Sequence, residues 1–228
     1  MWNGVVYIGV WKYGTNVYAF NASTGYKVWS TYLDGGVYAS PAVLDGVAYF
    51  TSANDDGVYA LDARTGTRLW KFQTGLDFYS SPAVASGMVY VGSYDNNVYA
   101  LNASTGAKVW SFLTGNAIIS SPAVANGIVY VGSGDRNLYA LDAATGGLLW
   151  SYSTPDGSVW ASSPAVANGV VYFGSEDSHL YALDANTGTK LWSYYTGGPV
   201  DSPPIVVNGM VYLGGSKLYA FGLPSGRD

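Results

Sequence analysis

The chain has 228 residues, of which 49% are hydrophobic and 11% are charged, and this composition excludes a disordered protein. Ten lysines and arginines within a net charge of −5 provide no basic surface for a nucleic acid. The absence of cysteine excludes disulfide frameworks, thiolate metal sites and cysteine nucleophiles.

The chain begins "MWNGVVYIGV", which already reads as a strand from residue 5 onwards. No basic segment precedes this strand, so we expect no signal peptide in this chain. No run reaches the roughly 18 apolar residues that a membrane-spanning helix needs. The 21 tyrosines, 8 tryptophans and 30 glycines instead favour strands joined by tight turns.

A repeat of roughly 40 residues runs along the whole chain, and it is the strongest pattern in the sequence. One tryptophan recurs at steps of 41, 40, 40 and 42 residues. A period of this length with four short strands per unit is typical of a β-propeller. The recurring tryptophans are Trp29, Trp70, Trp110, Trp150 and Trp192.

The fourth unit shows how one repeat is predicted to fold into strands A to D. Its turns contain glycine, which tolerates the positive φ of tight hairpins. The prediction in chain order is strand A at 121–125, an Asn126-Gly127 turn, strand B at 128–132, a polar loop at 134–137, strand C at 138–143, a Thr145-Gly146 turn, and strand D at 148–152.

The turn between strands C and D explains why the repeat is so faithful. Asp142 can accept hydrogen bonds from backbone N–H groups ahead of it, and Gly146 supplies a left-handed residue. Asn21 and Asn102 can do the same in their units. The turn fixes the register and therefore the face on which Trp150 emerges. Burial of such a tryptophan against a neighbouring sheet stabilises the fold by roughly 2–3 kcal/mol.

The first and last units are incomplete. The chain enters at strand B and ends after a strand C, which gives 22 predicted strands. Three alternatives stay open: the end blades are three-stranded, the chain is a piece of a larger ring, or the open edges pair with another copy. We expect one domain with six units, at approximately 1–38, 39–79, 80–119, 120–161, 162–201 and 202–228.

The repeat carries a family resemblance in the pattern Ala-x-Asp/Asn-x-x-Thr-Gly-x-x-x-Trp. It resembles the tryptophan-docking motif of the pyrroloquinoline-quinone (PQQ) repeat propellers, also called quinoprotein-dehydrogenase-like. The resemblance implies an all-β propeller of about six four-stranded antiparallel blades, with strand A innermost and the tryptophans docking blade to blade. The motif is complete at 19–29, 60–70, 100–110, 140–150 and 182–192.

Two loop families differ most between units, the loops from strand D to the next strand A and those from B to C. Strand alternation places both families at one end, where loops on a rigid scaffold often bind ligands. A row of large apolar residues precedes strand A, and it is either a plug or a platform for a sugar, a peptide or a planar ring. The row is Tyr38, Tyr79, Ile119, Trp160 and Val200.

Acidic residues gather in the B-to-C loops, where they form a cation site, accept hydrogen bonds from hydroxyl groups, or simply make turns. They are Asp55, Asp56, Asp95, Asp135, Glu176 and Asp177. None has EF-hand spacing, so we predict no metal site. His179 is the only histidine, and a lone loop histidine is usually solvated, so we predict no catalytic residue. The predicted ligand-binding residues are Tyr38, Tyr79, Trp160, Asp95, Asp135, Arg136, Glu176 and His179.

Function follows from the loops and from the resemblance. In the dehydrogenase branch the resemblance implies PQQ, a calcium ion, a catalytic aspartate and two adjacent cysteines, whereas this chain has no cysteine and short loops. We therefore predict a non-enzymatic scaffold or binding domain without cofactor. Its partner would be a protein or a carbohydrate, reached through the loop face or the open edges. The alternatives are a PQQ-dependent oxidoreductase-like domain and a truncated or engineered propeller fragment. The resemblance favours an extracellular, cell-surface or periplasmic location.

Overall fold

The computed structural model describes residues 1–11 and 15–222, which form 22 strands in six antiparallel sheets. Within these residues there is no helix long and apolar enough to cross a membrane. The strand count and the two incomplete end sheets confirm the prediction from the repeat. The two end sheets have three strands each, and the four between them have four strands each.

The first three sheets follow one another along the chain. The first contains β1 (Val5–Ile8), β2 (Thr15–Asn21) and β3 (Lys27–Leu33). The second contains β4 (Ala42–Leu44), β5 (Val47–Ser52), β6 (Gly57–Asp62) and β7 (Arg68–Gln73). The third contains β8 (Ala83–Ala85), β9 (Met88–Gly92), β10 (Asn97–Asn102) and β11 (Lys108–Leu113).

The last three sheets repeat the same order of strands A to D. The fourth contains β12 (Ala123–Ala125), β13 (Ile128–Gly132), β14 (Asn137–Asp142) and β15 (Leu148–Ser153). The fifth contains β16 (Ala165–Ala167), β17 (Val170–Gly174), β18 (His179–Asp184) and β19 (Lys190–Tyr195). The sixth contains β20 (Ile205–Val207), β21 (Met210–Gly214) and β22 (Leu218–Gly222).

Two kinds of tight turn set the register in every complete sheet. Between strands A and B of the fourth sheet, Asn126 and Gly127 both have positive φ, at 51° and 76°, as a type I′ hairpin requires. Between strands C and D, Asp142 Oδ1 accepts a hydrogen bond from the Ala144 N–H at 3.1 Å and another from the Thr145 N–H at 2.8 Å. The Thr145 hydroxyl and N–H lower the pKa of Asp142. Both turns therefore form as the sequence predicts.

The docking tryptophans connect adjacent sheets inside each compact part of the chain. The Trp29 indole nitrogen donates to the Ala63 carbonyl of the next sheet at 2.9 Å, and Trp70 donates to Ala103 at the same distance. A side chain on Gly66 would lie 2.7 Å from the Trp29 ring, so the turn glycine makes room for the indole. The tryptophan of one sheet therefore packs directly on the turn glycine of the next sheet.

The chain divides into two compact units, Met1–Leu113 and Thr114–Asp228. In the first unit, the core contains fully buried Phe50, Tyr59 and Leu61. In the second unit, a corresponding core contains Tyr130 and Phe173. The single-domain organisation and the closure of a six-bladed ring stay predictions.

Candidate functional site

In each unit the D-to-A and B-to-C loops lie together at one end of the sheets. In the first unit, the N–H of Ala53 donates to the Gly36 carbonyl and that of Tyr94 to the Asp77 carbonyl, both at 2.9 Å. In the second unit, the Glu176 N–H donates to the loop that precedes β16 at 3.1 Å. The shared loop end is therefore as predicted, although residues 12–14 of the first B-to-C loop lie outside the described residues.

The B-to-C loops of the third, fourth and fifth sheets use their aspartates internally. Asp95 Oδ1 accepts the Asn97 N–H at 3.0 Å, and its Oδ2 accepts the Tyr99 hydroxyl at 2.6 Å. Asp135 and Asp177 make the same two bonds to their own loop and tyrosine. Burial, followed by the bond to Asp95, raises the pKa of Tyr99. The aspartate that recurs four residues before a tyrosine is thus part of the loop framework.

Arg136 and His179 occupy positions that the same framework defines. Arg136 has a φ of 75° where Asn96 has 73°, so this position requires a left-handed backbone. His179 follows Asp177 as Asn97 follows Asp95, and its Nδ1 lies 3.0 Å from the Asp177 carbonyl oxygen. The binding of a ligand by either residue stays a prediction.

Trp160 and Glu176 lie in the second unit. Trp160 is half-buried, and a side chain on Gly134 would lie 2.9 Å from its ring, so this glycine leaves space for the indole. Glu176 is exposed and accepts a hydrogen bond from the Ser158 hydroxyl. Their role in ligand binding is a prediction, as it is for Asp135.

Four aromatic rings of the first unit form a continuous line at its loop end, which we call the aromatic row: Trp11, Tyr38, Tyr79 and Tyr94. Successive ring centroids lie 5.4, 5.0 and 5.5 Å apart. The exposed fractions of Trp11, Tyr38 and Tyr94 are 68%, 46% and 37%. Four loops that are distant in sequence therefore present one contiguous aromatic surface.

The aromatic row differs in membership from the row that the sequence predicted. Tyr38 and Tyr79 are brought together, whereas Trp11 and Tyr94 belong to B-to-C loops and were missed. Val200, which the sequence placed in the same row as Tyr38 and Tyr79, is only 1% exposed and is not part of an exposed surface. Its N–H donates to Ser175 as that of Phe78 donates to Ser52, so Val200 is in register with the buried residue that precedes Tyr79.

Acidic groups lie beside the aromatic row. The Tyr79 hydroxyl donates to Asp77 Oδ2 at 2.9 Å, and Asp56 lies close enough to Asp77 to be affected by its charge. Burial and then the charge of Asp77 raise the pKa of Asp56, while burial and the bond to Asp77 raise that of Tyr79 to about 12. Lys71 pairs with Asp55 at 3.1 Å. Asp55 Oδ1 is buried without a hydrogen-bond partner.

These residues do not fit the calcium ion and quinone that the resemblance implies for dehydrogenases. Across 1–11 and 15–222, no group of three or more histidine or carboxylate side chains is arranged to hold a metal ion. The recurring loop aspartates already accept hydrogen bonds at both oxygens, as at Asp95. The sequence has no cysteine for the disulfide.

Comparisons with known proteins identify the fold. The family model described as "Outer membrane protein assembly factor BamB" matches residues 3–78, 74–122 and 115–227. BamB from Moraxella catarrhalis superposes with a TM-score of 0.77 at 20% identity, covering 96% of this chain and 71% of that chain. These matches confirm the PQQ-repeat β-propeller fold.

Two further solved structures share the fold. The computationally designed Ika8 protein has a TM-score of 0.67 at 18% identity, covering 98% of this chain and 82% of that chain. A quinohemoprotein alcohol dehydrogenase from Pseudomonas putida HK5 has a TM-score of 0.67 at 23% identity, covering 91% of this chain and 40% of that one. Among curated proteins, none matches this chain.

Proposed function

Because the chain belongs to the family described as outer membrane protein assembly factor BamB, we propose that it is a non-enzymatic domain that binds a protein partner. The aromatic row of the first unit is the binding surface. The observation that carries this proposal is the exposure of three of its four rings in one contiguous line.

The chemistry of the row supports a protein partner. Tyrosine and tryptophan are enriched at the centres of protein interfaces, because a rigid ring buries a large area at a small entropic cost. Contiguous exposed apolar surface on a soluble domain usually marks an interaction site. The loops that present the rings stand on sheets held by repeated tryptophan contacts, so the surface is formed before binding. The family description, an assembly factor, agrees with this kind of function.

Site-specific photocrosslinking tests the proposal in cells that produce the chain. A benzophenone amino acid would replace Tyr38 in the aromatic row or, as the control, Tyr26. Tyr26 is 78% exposed and lies on a C-to-D turn, at the opposite end of its sheet. We expect a discrete crosslinked protein from position 38 and none from position 26. Equal crosslinking at both positions, or none at 38, would contradict the proposal.

The enzymatic alternative has its own test. The protein would be mixed with PQQ and calcium, passed through gel filtration, and examined for quinone absorbance and dye-linked alcohol oxidation. We expect neither, since the site lacks the donor set for the metal. Retained cofactor with oxidation activity would overturn the non-enzymatic proposal.

Carbohydrate binding and self-association remain alternatives to a protein partner at the aromatic row. The sixth sheet offers an edge at β22 that is paired on one side, to β21, within the described residues. Molecular mass in solution would reveal association between copies. An association that persists when the row is substituted would assign self-pairing to another surface.

A further inference from the structure

Resting on the proposed function, we propose that the aromatic row binds an extended cationic segment of the partner, with lysine or arginine side chains lying over its rings. Three features of the first unit support it: the spacing of the rings, the charge around them, and the hydrogen bonds that the neighbouring polar groups already make.

The spacing of the rings suits an extended segment. Successive centroids of the row are separated by 5.0 to 5.5 Å. In an extended chain, side chains on one face recur at every second residue, roughly 6.6 Å apart. Alternate side chains of one extended segment can therefore meet successive rings of the row with small adjustments of their long stems.

Among the described residues at this end of the unit, carboxylates outnumber basic side chains. Asp34 is exposed, and Asp56 and Asp77 are partly exposed beside Tyr79. Lys71 reaches these loops, and Asp55 pairs with it at 3.1 Å. Unbalanced carboxylates attract a cation and raise its rate of association.

Aromatic faces add a second attraction for the same groups. The negative face of a tyrosine or tryptophan ring attracts an ammonium or guanidinium group. The protein already makes this contact within the same unit, where Lys71 Nζ lies 5.0 Å from the centroid of the Tyr59 ring. The row combines such faces with nearby carboxylates, as this internal contact does.

The neighbouring polar groups favour a cation over a neutral sugar. A sugar needs side chains whose hydrogen-bonding groups are available to its hydroxyls. Here the Tyr79 hydroxyl donates to one oxygen of Asp77, and the Asn54 N–H donates to the other oxygen. The polar groups of Tyr79 and Asp77 are therefore already bonded within the protein, and ring surface and negative charge dominate what a ligand meets here.

The test uses fluorescence anisotropy with labelled probe peptides. One peptide alternates glycine and arginine, a second glycine and glutamate, and a third glycine and serine. Maltoheptaose, labelled in the same way, serves as a neutral sugar probe. We expect saturable binding of the arginine peptide, weakened by added salt as screening of exposed charges requires, and no binding of the other probes.

Matched variants separate the row from general attraction to an acidic protein. Asp56→Asn removes a charge beside the row, and its left-handed backbone suits asparagine because Asn96 occupies the equivalent position. Asp45→Asn removes the same charge at the opposite end, where Asn126 is its counterpart. Tyr38→Ala removes a ring of the row and Tyr26→Ala a ring elsewhere. We expect Tyr38→Ala and Asp56→Asn each to weaken binding about three-fold, and the two controls to leave it unchanged.

Each possible result either supports or overturns the binding of a cationic segment. Equal losses from Asp56→Asn and Asp45→Asn, or none from Tyr38→Ala, would overturn the inference, since binding would then reflect net charge alone. Ring-dependent binding of the serine or glutamate peptide would overturn the cationic preference but leave a protein-binding row. Binding of maltoheptaose alone would overturn both the inference and the proposed function. No binding of any probe at about 1 mM would overturn the inference, and the crosslinking result would then decide the proposed function.

Discussion

The B-to-C loop of the second sheet and that of the third sheet solve the same connection with different lengths. Five residues stand between Ser52 and Val58, whereas four stand between Ser93 and Val98. In the shorter loop, both oxygens of Asp95 accept hydrogen bonds. In the longer loop, one oxygen of Asp55 is buried without a hydrogen-bond partner.

The extra residue changes the electrostatics as well as the hydrogen bonds. Gly57 stands where the third sheet has Asn97, so the side chain that bonds to Asp95 has no counterpart. Asp56 stands where the third sheet has Asn96, and it adds a carboxyl beside Asp77. The repeat satisfies its own polar groups, and the departure from the repeat gives the loop end its negative charge. This comparison therefore distinguishes framework from candidate binding surface.

The largest expected effect lies in the framework that both loops share. Trp70→Ala removes a buried indole, its bond to the Ala103 carbonyl and its contact with the Gly106 turn. We expect a loss of about 3–5 kcal/mol in the free energy of unfolding, as for other buried aromatic residues. Urea unfolding followed by tryptophan fluorescence measures it, with Trp70→Phe as the control that retains much of the packing. A loss below that of Trp70→Phe would contradict the docking role.

The next effect concerns the satisfied loop of the third sheet. Asp95→Ala leaves the Tyr99 hydroxyl and the Asn97 N–H without their acceptors, and each unsatisfied group costs roughly 1–3 kcal/mol. We expect a loss of about 2–3 kcal/mol in the free energy of unfolding, measured with urea. The double variant with Tyr99→Phe should lose less than the sum of the single changes. Strict additivity would show that the hydrogen bond does not couple them.

In the longer loop we expect a substitution that increases the free energy of unfolding, by a smaller amount. Burial and Asp77 raise the pKa of Asp56, so the folded chain binds this proton more tightly than the unfolded chain and loses stability as the pH rises. Asp56→Asn removes that loss. We expect a gain of less than about 1 kcal/mol at neutral pH that disappears in acid, because solvent screens a partly exposed group. Urea unfolding across the pH range tests this, and a gain that persists in acid would contradict the explanation.

The smallest expected change in stability belongs to the aromatic row. Tyr38 is half-exposed and its described contacts are to the neighbouring rings Trp11 and Tyr79. We expect Tyr38→Ala to change the free energy of unfolding by no more than about 0.5 kcal/mol, as surface substitutions usually do. Thermal and urea unfolding measure it. A loss as large as that of Asp95→Ala would assign the ring to the framework instead of to binding.

The sequence predicted the framework well because its determinants are local. The Asn126-Gly127 turn and the Asp142 turn each specify a register within a few residues, and repetition extends that register to 22 strands. The repeated aspartates could also have been assigned to the framework, because each stands four residues before a tyrosine, as Asp95 stands before Tyr99.

The aromatic row was predicted only in part because it is assembled across loops. Trp11 and Tyr94 come from B-to-C loops, and comparing D-to-A loops with one another shows only Tyr38 and Tyr79. The electrostatic interaction between Asp56 and Asp77 likewise joins two loops. No spacing within one repeat encodes such contacts, since each depends on how neighbouring loops meet.

The indole contacts between sheets have a consequence for how such chains change over generations. Trp29 donates a hydrogen bond to the carbonyl of Ala63, and Trp70 donates one to that of Ala103. Each of these bonds therefore joins one repeat to the repeat that follows it. Gene duplication or deletion of one entire repeat preserves these hydrogen bonds between neighbouring repeats, because the new neighbours carry the same tryptophan and carbonyl. Insertion or deletion of half a repeat would instead separate a tryptophan from the carbonyl to which it bonds. Selection can therefore vary the number of repeats in whole steps.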